Sequence, residues 1–364
     1  MNTRERFVKT LMGEPVDRVP FIKVFGGTNA VLPHWKNEHP GIETCIDELL
    51  GFEGVYRGWG VTPVNMDSSN MGTTEDLSET DDIIVRRRGD GTIDQIYKSG
   101  DYNRHTIEWP VKTMQDWEEY KEKYLDPDDP SRFPSDWDAR VQEYGNRDYP
   151  LQLTHRGVYG FARERMGDEN LAYAFYDSPA LVHDMMESYT DFAIKLWEKQ
   201  TAEVEFDLIE CWEDMACKNG SLISPAMFDE FMAPCYRRIA EFACEHDIKI
   251  ILVDSDGLIE NLTESMLKAG VNTLYPYEVL AGNDVGRVLD RFPNVGVVGG
   301  LRKEAMYEGK EAIDREMVKA REWIKKGRYI PGPDHFVLGL ASFANYRYFM
   351  ESLREVVMTT KPET

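Results

Sequence analysis

The chain reads as an α/β protein whose strands and helices close into a (β/α)8 TIM barrel. Three features of the sequence predict this. Short apolar runs of four to seven residues alternate with helical patterns along most of the 364 residues. Each run is bounded by a helix, the signature of a parallel sheet covered on both faces. No strand is followed by a GxGxxG or P-loop, which argues against the open doubly wound sheet that is the alternative. A single barrel domain spanning 1–364 is expected, since the length exceeds the ~250 residues of a bare barrel and leaves room for insertions.

The elements follow in order. VPFIKVF (19–25) and a stretch near 54–62 are the first two strands. IIVRRRGDGTIDQIYKSG (83–100) alternates strongly around Gly89-Asp90-Gly91 and predicts an inserted antiparallel hairpin, with HTIEWPV (105–111) as a third strand. DPDDPSRFPSDWD (126–138) reads as a surface loop without the spacing of a calcium loop. YPLQLTH (149–155) leads into helices over 158–177 and 180–200. FDLIECWED (206–214) precedes a helix over 225–246, opened by Ser224 as N-cap and Pro225 at the first turn. KIILVDSD (249–256) precedes a helix ending at Gly270. NTLYPYE (272–278), VGVVGG (295–300) and RYIPGPDH (328–335) each lead to a further helix, the last ending near Met358.

Bulk composition narrows the function. Sixty-five acids stand against 42 bases, a formal charge of −23, so nucleic acid and anionic lipid are poor partners. With 42% apolar residues a sizeable core is expected. The five cysteines form no CxxC pair, which suits free thiols in a reducing compartment. No run approaches ~18 apolar residues and no signal core is present, so a cytoplasmic protein without a membrane span is expected.

In a barrel the C-terminal strand ends share one rim, where active sites gather. The polar residues there are His155, then Glu210, Glu213 and Asp214, then Asp254 and Asp256, then Tyr277 and Glu278, and last Asp334 and His335. Acids with two histidines suit proton transfer or a hard to borderline metal. Plain structural readings stand beside these. Asp256 could cap a helix, Glu278 could pair with a loop arginine, and His155 could be a satisfied core histidine. Asp214 could hold the loop before Ser224. Cys211 lies in an apolar run with no base nearby, so a thiol nucleophile has no support.

Several stretches carry a resemblance in order: TRERFVKTLMGEPVDRVPF, WEDMACKNGSLISPAMFDEFMAPCYRRI, VDSDGLIENLTESMLKAGVNTLYPYE, NVGVVGGLRKEAM and YIPGPDHFVL with NYRYF. Together they resemble the uroporphyrinogen decarboxylase superfamily, a TIM-barrel group. The resemblance implies two activities. The decarboxylases carry an arginine-rich loop after the first strand that grips substrate carboxylates. This chain has KVFGGTNAVLPHW there and no arginine between Arg18 and Arg57. His335 resembles the family's late active-site histidine. The cobamide-dependent methyltransferases hold zinc through a His-x-Cys pair and a late Cys; the matching places here are Asp254-Ser255-Asp256 and Asp334-His335.

What the resemblance implies is a methyltransferase or demethylase component. It would move a methyl group between a small O- or N-methylated compound and a corrinoid (methylcobamide) carried by a separate corrinoid-binding protein. His335, Asp256, Asp214 and Glu278 are its candidate catalytic residues. Asp254, Asp256 and His335 are candidate ligands of a zinc ion with an oxygen-polarising role. His155, Tyr159, Glu210, Trp212, Tyr277 and Asp334 are candidate substrate contacts, with Tyr275 as a further aromatic wall residue. The alternative is a metal-free carboxy-lyase acting on a porphyrinogen or another carboxylate. A homodimer is the expected assembly.

Overall fold

A computed structural model describes residues 1–25, 32–53, 59–68, 71–99, 104–337 and 339–363. A seven-stranded, all-parallel sheet runs through it: β1 (Gly60–Val61), β6 (Leu151–His155), β7 (Leu208–Trp212), β10 (Ile250–Asp254), β11 (Thr273–Tyr275), β12 (Gly296–Leu301) and β13 (Tyr329–Pro333). Its strands are neighbours in chain order throughout. A doubly wound sheet reverses direction at a switch point, and this one never does. The α/β barrel expected from the alternating pattern is therefore the fold.

Strand alternation divides the core in two. Leu208, Ile250, Leu252, Tyr275, Val298 and Ile330 point into the barrel interior. Their neighbours Ile209, Ile251, Val253, Leu274, Val297 and Tyr329 point outward against the helices. The segment 19–25 has no regular secondary structure and places Ile22, Val24 and Phe25 in the same interior cluster. It stands where an eighth stave belongs but joins no ladder, a correction to the expected first strand. Pro20 has no N–H to contribute to one. The segment instead packs tightly on β13, where a Cβ on Gly332 would lie 2.2 Å from Val24. Of the second expected strand, only Gly60–Val61 is laddered, and 54–58 lies outside the described residues.

The insertion is larger than a hairpin. β2 (Glu75–Glu79), β3 (Ile83–Arg87), β4 (Ile93–Tyr97) and β5 (Arg104–Glu108) form a four-stranded antiparallel sheet in that order. The predicted turn at 89–91 is present, with Gly91 at φ 90°; residues 100–103 lie outside the described set. The 126–138 stretch is not a plain surface loop. It contains a short turn, Pro130–Arg132, anchored by the buried Arg132, which donates to the carbonyls of Asp126 and Asn65 at 2.7 and 2.9 Å. A small two-stranded ribbon, β8 (Ala216–Cys217) with β9 (Gly220–Ser221), completes the strands. The helix over 225–246 forms as expected, with the Ser224 hydroxyl accepting from Met227 N–H. The five cysteines are unpaired. Among the described residues no helix is long and apolar enough to cross a membrane.

The amphipathic helix Thr3–Met12 closes the end of the barrel opposite the strand C-termini by inserting Phe7 and Leu11 into the interior cluster. Phe7 is fully buried, and its ring lies 5.6 Å from that of Trp59. Phe7→Ala is expected to lower unfolding stability by about 3–5 kcal/mol in chemical denaturation.

Candidate active site

At the C-terminal ends of β1, β6, β7 and β10 lies a cavity of about 510 Å3, within the range of small-molecule sites. Its walls come from the alternation already described. Leu151 and Leu153 face the helices, so Gln152 and Thr154 face inward. Glu210 and Trp212 of β7 and Asp254 of β10 join them, and Asn65, Met66 and Asp67 close the side after β1. Glu210 is buried and accepts from Trp59 Nε1 at 3.2 Å. Arg156 is the one cationic side chain lining the cavity among the described residues. Its guanidinium is paired with Glu164 at 3.0 and 2.5 Å and lies 4.3 Å from the ring centre of Trp212. His155 packs between Tyr189 and Trp197, with ring centroids 4.7 and 5.5 Å away. Neither of its nitrogens has a hydrogen-bond partner, and burial pushes its pKa down to about 3. It is neutral at any working pH.

Beside the cavity, on the same rim, His335 Nε2 meets Asp256 Oδ2 at 3.1 Å. Phe25 and Phe336 flank the imidazole, each with its ring centroid 5.4 Å away. The turn carrying Asp256 is held from two sides. Asp214 Oδ1 accepts from Asp256 N–H at 3.3 Å, and Glu278 Oε2 accepts from Gly257 N–H at 3.0 Å. Asp214 sits at φ 44° and takes 3.4 and 3.1 Å contacts from Arg163 to its carboxylate and carbonyl. Burial raises its pKa, and the nearby Arg163 opposes that shift.

The residue just before Asp214 is fully buried. Glu213 accepts from the N–H groups of Val158, Tyr159 and Gly160 at 2.8, 2.8 and 2.9 Å, and from the Tyr236 hydroxyl. These are the unpaired donors of the first turn of helix Val158–Met166, where a carboxylate is favoured.

Comparison with known proteins places this architecture. The family model for uroporphyrinogen decarboxylase (URO-D) matches residues 161–356, more than half of the chain. The chain belongs to the uroporphyrinogen decarboxylase family. The solved structure of a methyltransferase from Methanosarcina mazei covers 98% of this chain and 98% of its own, at 16% identity and a TM-score of 0.61. That likeness establishes the shared fold. A Listeria monocytogenes chain provisionally assigned as a vitamin-B12 independent methionine synthase covers 60% of this chain and 68% of its own, at 11% identity and a TM-score of 0.32, too low to bear on function. No curated protein matches the chain.

Within this family frame the expected site residues separate into groups. His155, Glu210, Trp212 and Asp254 line the cavity. Asp256 and His335 form the dyad, with Asp214 and Glu278 positioning its backbone. Neither plain reading of Asp256 and Glu278 holds: the first helical turn beyond Asp256 starts at Glu260, and Glu278 takes a backbone N–H rather than an arginine. Asp334 is turned away, its two oxygens accepting from Val279 and Lys303 N–H at 2.8 and 2.9 Å. Tyr159 packs on Phe175 and Tyr277 is fully buried, so neither lines the cavity. Tyr275 points into the barrel and donates to the Val24 carbonyl. The loop after Phe25, where decarboxylases of the family carry arginines, falls on 26–31, outside the described residues.

The candidate zinc ligands divide between the two parts of the rim: Asp254 lines the cavity, and Asp256 and His335 bond to each other. Among the described residues no group of three or more His, Cys, Asp or Glu side chains is gathered as a preformed metal site. Sequence reading missed Gln152, Thr154, Asp67 and Arg156. For the first two a signal existed, since polar residues at alternate positions of an otherwise apolar strand must face a polar space.

Burial pushes the Asp334 carboxyl from its ordinary 3.8 up to about 6, against the two N–H donors. Because folding raises this pKa, the unfolded chain loses its proton first as pH climbs. Its contribution is fully present below pH 3.8 and is lost as pH rises through about 6. A carbon-detected NMR titration is expected to find the Asp334 midpoint near pH 6. Glu213→Ala, which orphans three buried N–H groups, is expected to cost about 3 kcal/mol or more in thermal or denaturant melts.

Proposed function

We propose that this family member is a methyltransferase component that moves a methyl group between a small O- or N-methylated compound and a corrinoid borne by a separate protein. The observation that carries the reading is the His335–Asp256 dyad set beside an acid-lined cavity at the barrel rim. The methyltransferase of the same fold across nearly the whole chain supports it. Against porphyrinogen decarboxylation, a ligand bearing many carboxylates would meet Asp67, Glu210 and Asp254, and among the described residues a single arginine, already committed to Glu164.

In this reading the dyad relays a proton. Asp256 can only accept, so His335 Nε2 carries the hydrogen between them. That leaves Nδ1, which has no hydrogen-bond partner, as the atom that would exchange a proton with a bound donor. When the methyl carbon leaves, the bonding pair stays on the oxygen or nitrogen it departs from. His335 returns a proton to that atom from Nδ1, and the Asp256 carboxylate stabilises the imidazolium beforehand. A reduced corrinoid would supply the nucleophile that takes the methyl group. Val61 both lines the cavity and is 49% exposed, so the cavity reaches the surface beside β1, the side from which such a partner would approach. Asp214 and Glu278 hold the turn so that the dyad keeps its geometry. No step is assigned to zinc.

Transfer can be followed by absorbance with cob(I)alamin as acceptor and a panel of methylated donors. His335→Ala is expected to lower kcat by roughly 10²–10⁴ with donor binding retained. Asp256→Asn is expected to lower it less, through loss of imidazolium stabilisation. Unchanged turnover in His335→Ala, or turnover of uroporphyrinogen by the unaltered protein, would overturn the reading.

A further inference from the structure

One wall of the cavity carries an unmet polar atom. Gln152 is 3% exposed and faces inward from β6, and its Oε1 has no hydrogen-bond partner among the described residues. Buried amide oxygens are ordinarily bonded, so one aimed into a cavity calls for a donor. The acids of the wall make no such call. Glu210 accepts from Trp59 Nε1, and Asp254 is engaged within the protein. His155 also has unbonded nitrogens, but its ring lies between Tyr189 and Trp197 on the helix side of β6.

Strand register places that atom at the inner end of the cavity. Gln152 pairs with Leu208 on β7, which belongs to the apolar barrel interior. From Leu208 the strand runs to Trp212 at the rim, about 13 Å further along. The acceptor is therefore inside, whereas His335, the proton donor of the proposed reaction, stands at the rim. An ether oxygen has no hydrogen to give, so a methylated end turned toward Gln152 would leave Oε1 unpaired. A carboxylate would do the same. An ammonium ion would carry its full charge to the edge of the apolar interior to meet one neutral amide, a costly desolvation. A neutral hydroxyl supplies the hydrogen without the charge.

We propose that Gln152 selects and orients the substrate: a neutral hydroxyl at one end of the molecule donates to Gln152 Oε1, and the methylated heteroatom lies at the other end, toward His335. This rests on the methyltransferase reading and narrows its substrate class to compounds with a free hydroxyl remote from the methyl group. Val64, Met66 and Trp212 line the cavity and suit an apolar body between the two ends. The transfer itself is unchanged. The methyl carbon leaves its heteroatom for the reduced corrinoid, the bonding pair stays behind, and His335 supplies the proton, while the hydroxyl at Gln152 takes no part in the chemistry.

Binding is tested without turnover, by calorimetry on the full chain. The probes are para-methoxyphenol, uncharged at neutral pH; para-methoxytoluene, in which a methyl group replaces the hydroxyl; and ortho-methoxyphenol, whose hydroxyl sits beside the methoxy group. The para-phenol is expected to bind about tenfold tighter than either of the others. Gln152→Met should remove that preference by weakening the para-phenol while the toluene binds as well as before or better. Its melting temperature should stay at or above that of the unaltered protein, since the oxygen it removes is bonded to nothing. Gln152→Asn, which draws the acceptor back by one methylene, is the second variant and should weaken the para-phenol alone. Equal binding of the three probes, a preference that survives both variants, or no binding of the para-phenol at millimolar concentration overturns the proposal. So does a fall of several degrees in the melting temperature of Gln152→Met, which would mark the amide as structural. Methyl transfer from the toluene as fast as from the para-phenol would sink this inference and keep the methyltransferase reading. A hydroxyl preference that depends on Gln152, with no transfer to any corrinoid, would do the reverse.

Discussion

Three backbone N–H groups and one phenol converge on the buried carboxylate of Glu213, and the active rim hangs on that convergence. The carboxylate follows directly on β7, whose last residue, Trp212, is a cavity wall. Its acceptors hold the first turn of the helix after β6, and so the Arg156–Gly157 link that borders the same cavity. The packing there leaves no slack: a Cβ on Gly157 or Gly160 would lie 2.2 or 2.4 Å from the Trp212 carbonyl oxygen. A carboxylate in such a place would be ruinous without donors, and its position at a helix N-terminus is what makes it tolerable.

From that anchor the rim divides into a cavity half and a half that carries the His335–Asp256 pair. β6, β7 and β10 supply the cavity, whose polar atoms are mostly acceptors. The turn after β10 and the end of β13 supply the dyad, which is more open to solvent, with His335 and Asp256 side chains 21% and 39% exposed. Asp214 and Glu278 bridge the halves by holding backbone rather than substrate. An acid at a strand end can therefore serve the site without touching a ligand, and only its hydrogen-bond partners reveal which role it has.

Much of the fold was legible because period and punctuation are local signals. The runs at 149–155, 206–214, 249–256, 295–300 and 328–335 became strands close to their expected limits, and the Gly89-Asp90-Gly91 turn marked the antiparallel insertion. The first stave was misread for a physical reason: apolar alternation guarantees burial but not a ladder, and VPFIKVF buries Ile22 and Val24 without pairing its backbone. Arg132 misled in the opposite direction, since an arginine in a Pro/Asp-rich stretch looks solvated until carbonyls from elsewhere in the chain are seen to surround it.

The VDSDG stretch shows the same division at the site. By itself the sequence determined that two acids stand at the end of a buried strand, because four apolar residues must be followed by a surface or a cavity when charge appears. It also determined the family, through ordered motifs along nearly the whole chain. Only the tertiary structure decided that the two acids part company. Asp254 faces the cavity as the last residue of β10, whereas Asp256, beyond the strand end, reaches His335 from a turn held by Asp214 and Glu278. Strand alternation sets the first direction locally, but the second depends on loops 21 to 79 residues away in the chain, whose meeting no local pattern encodes.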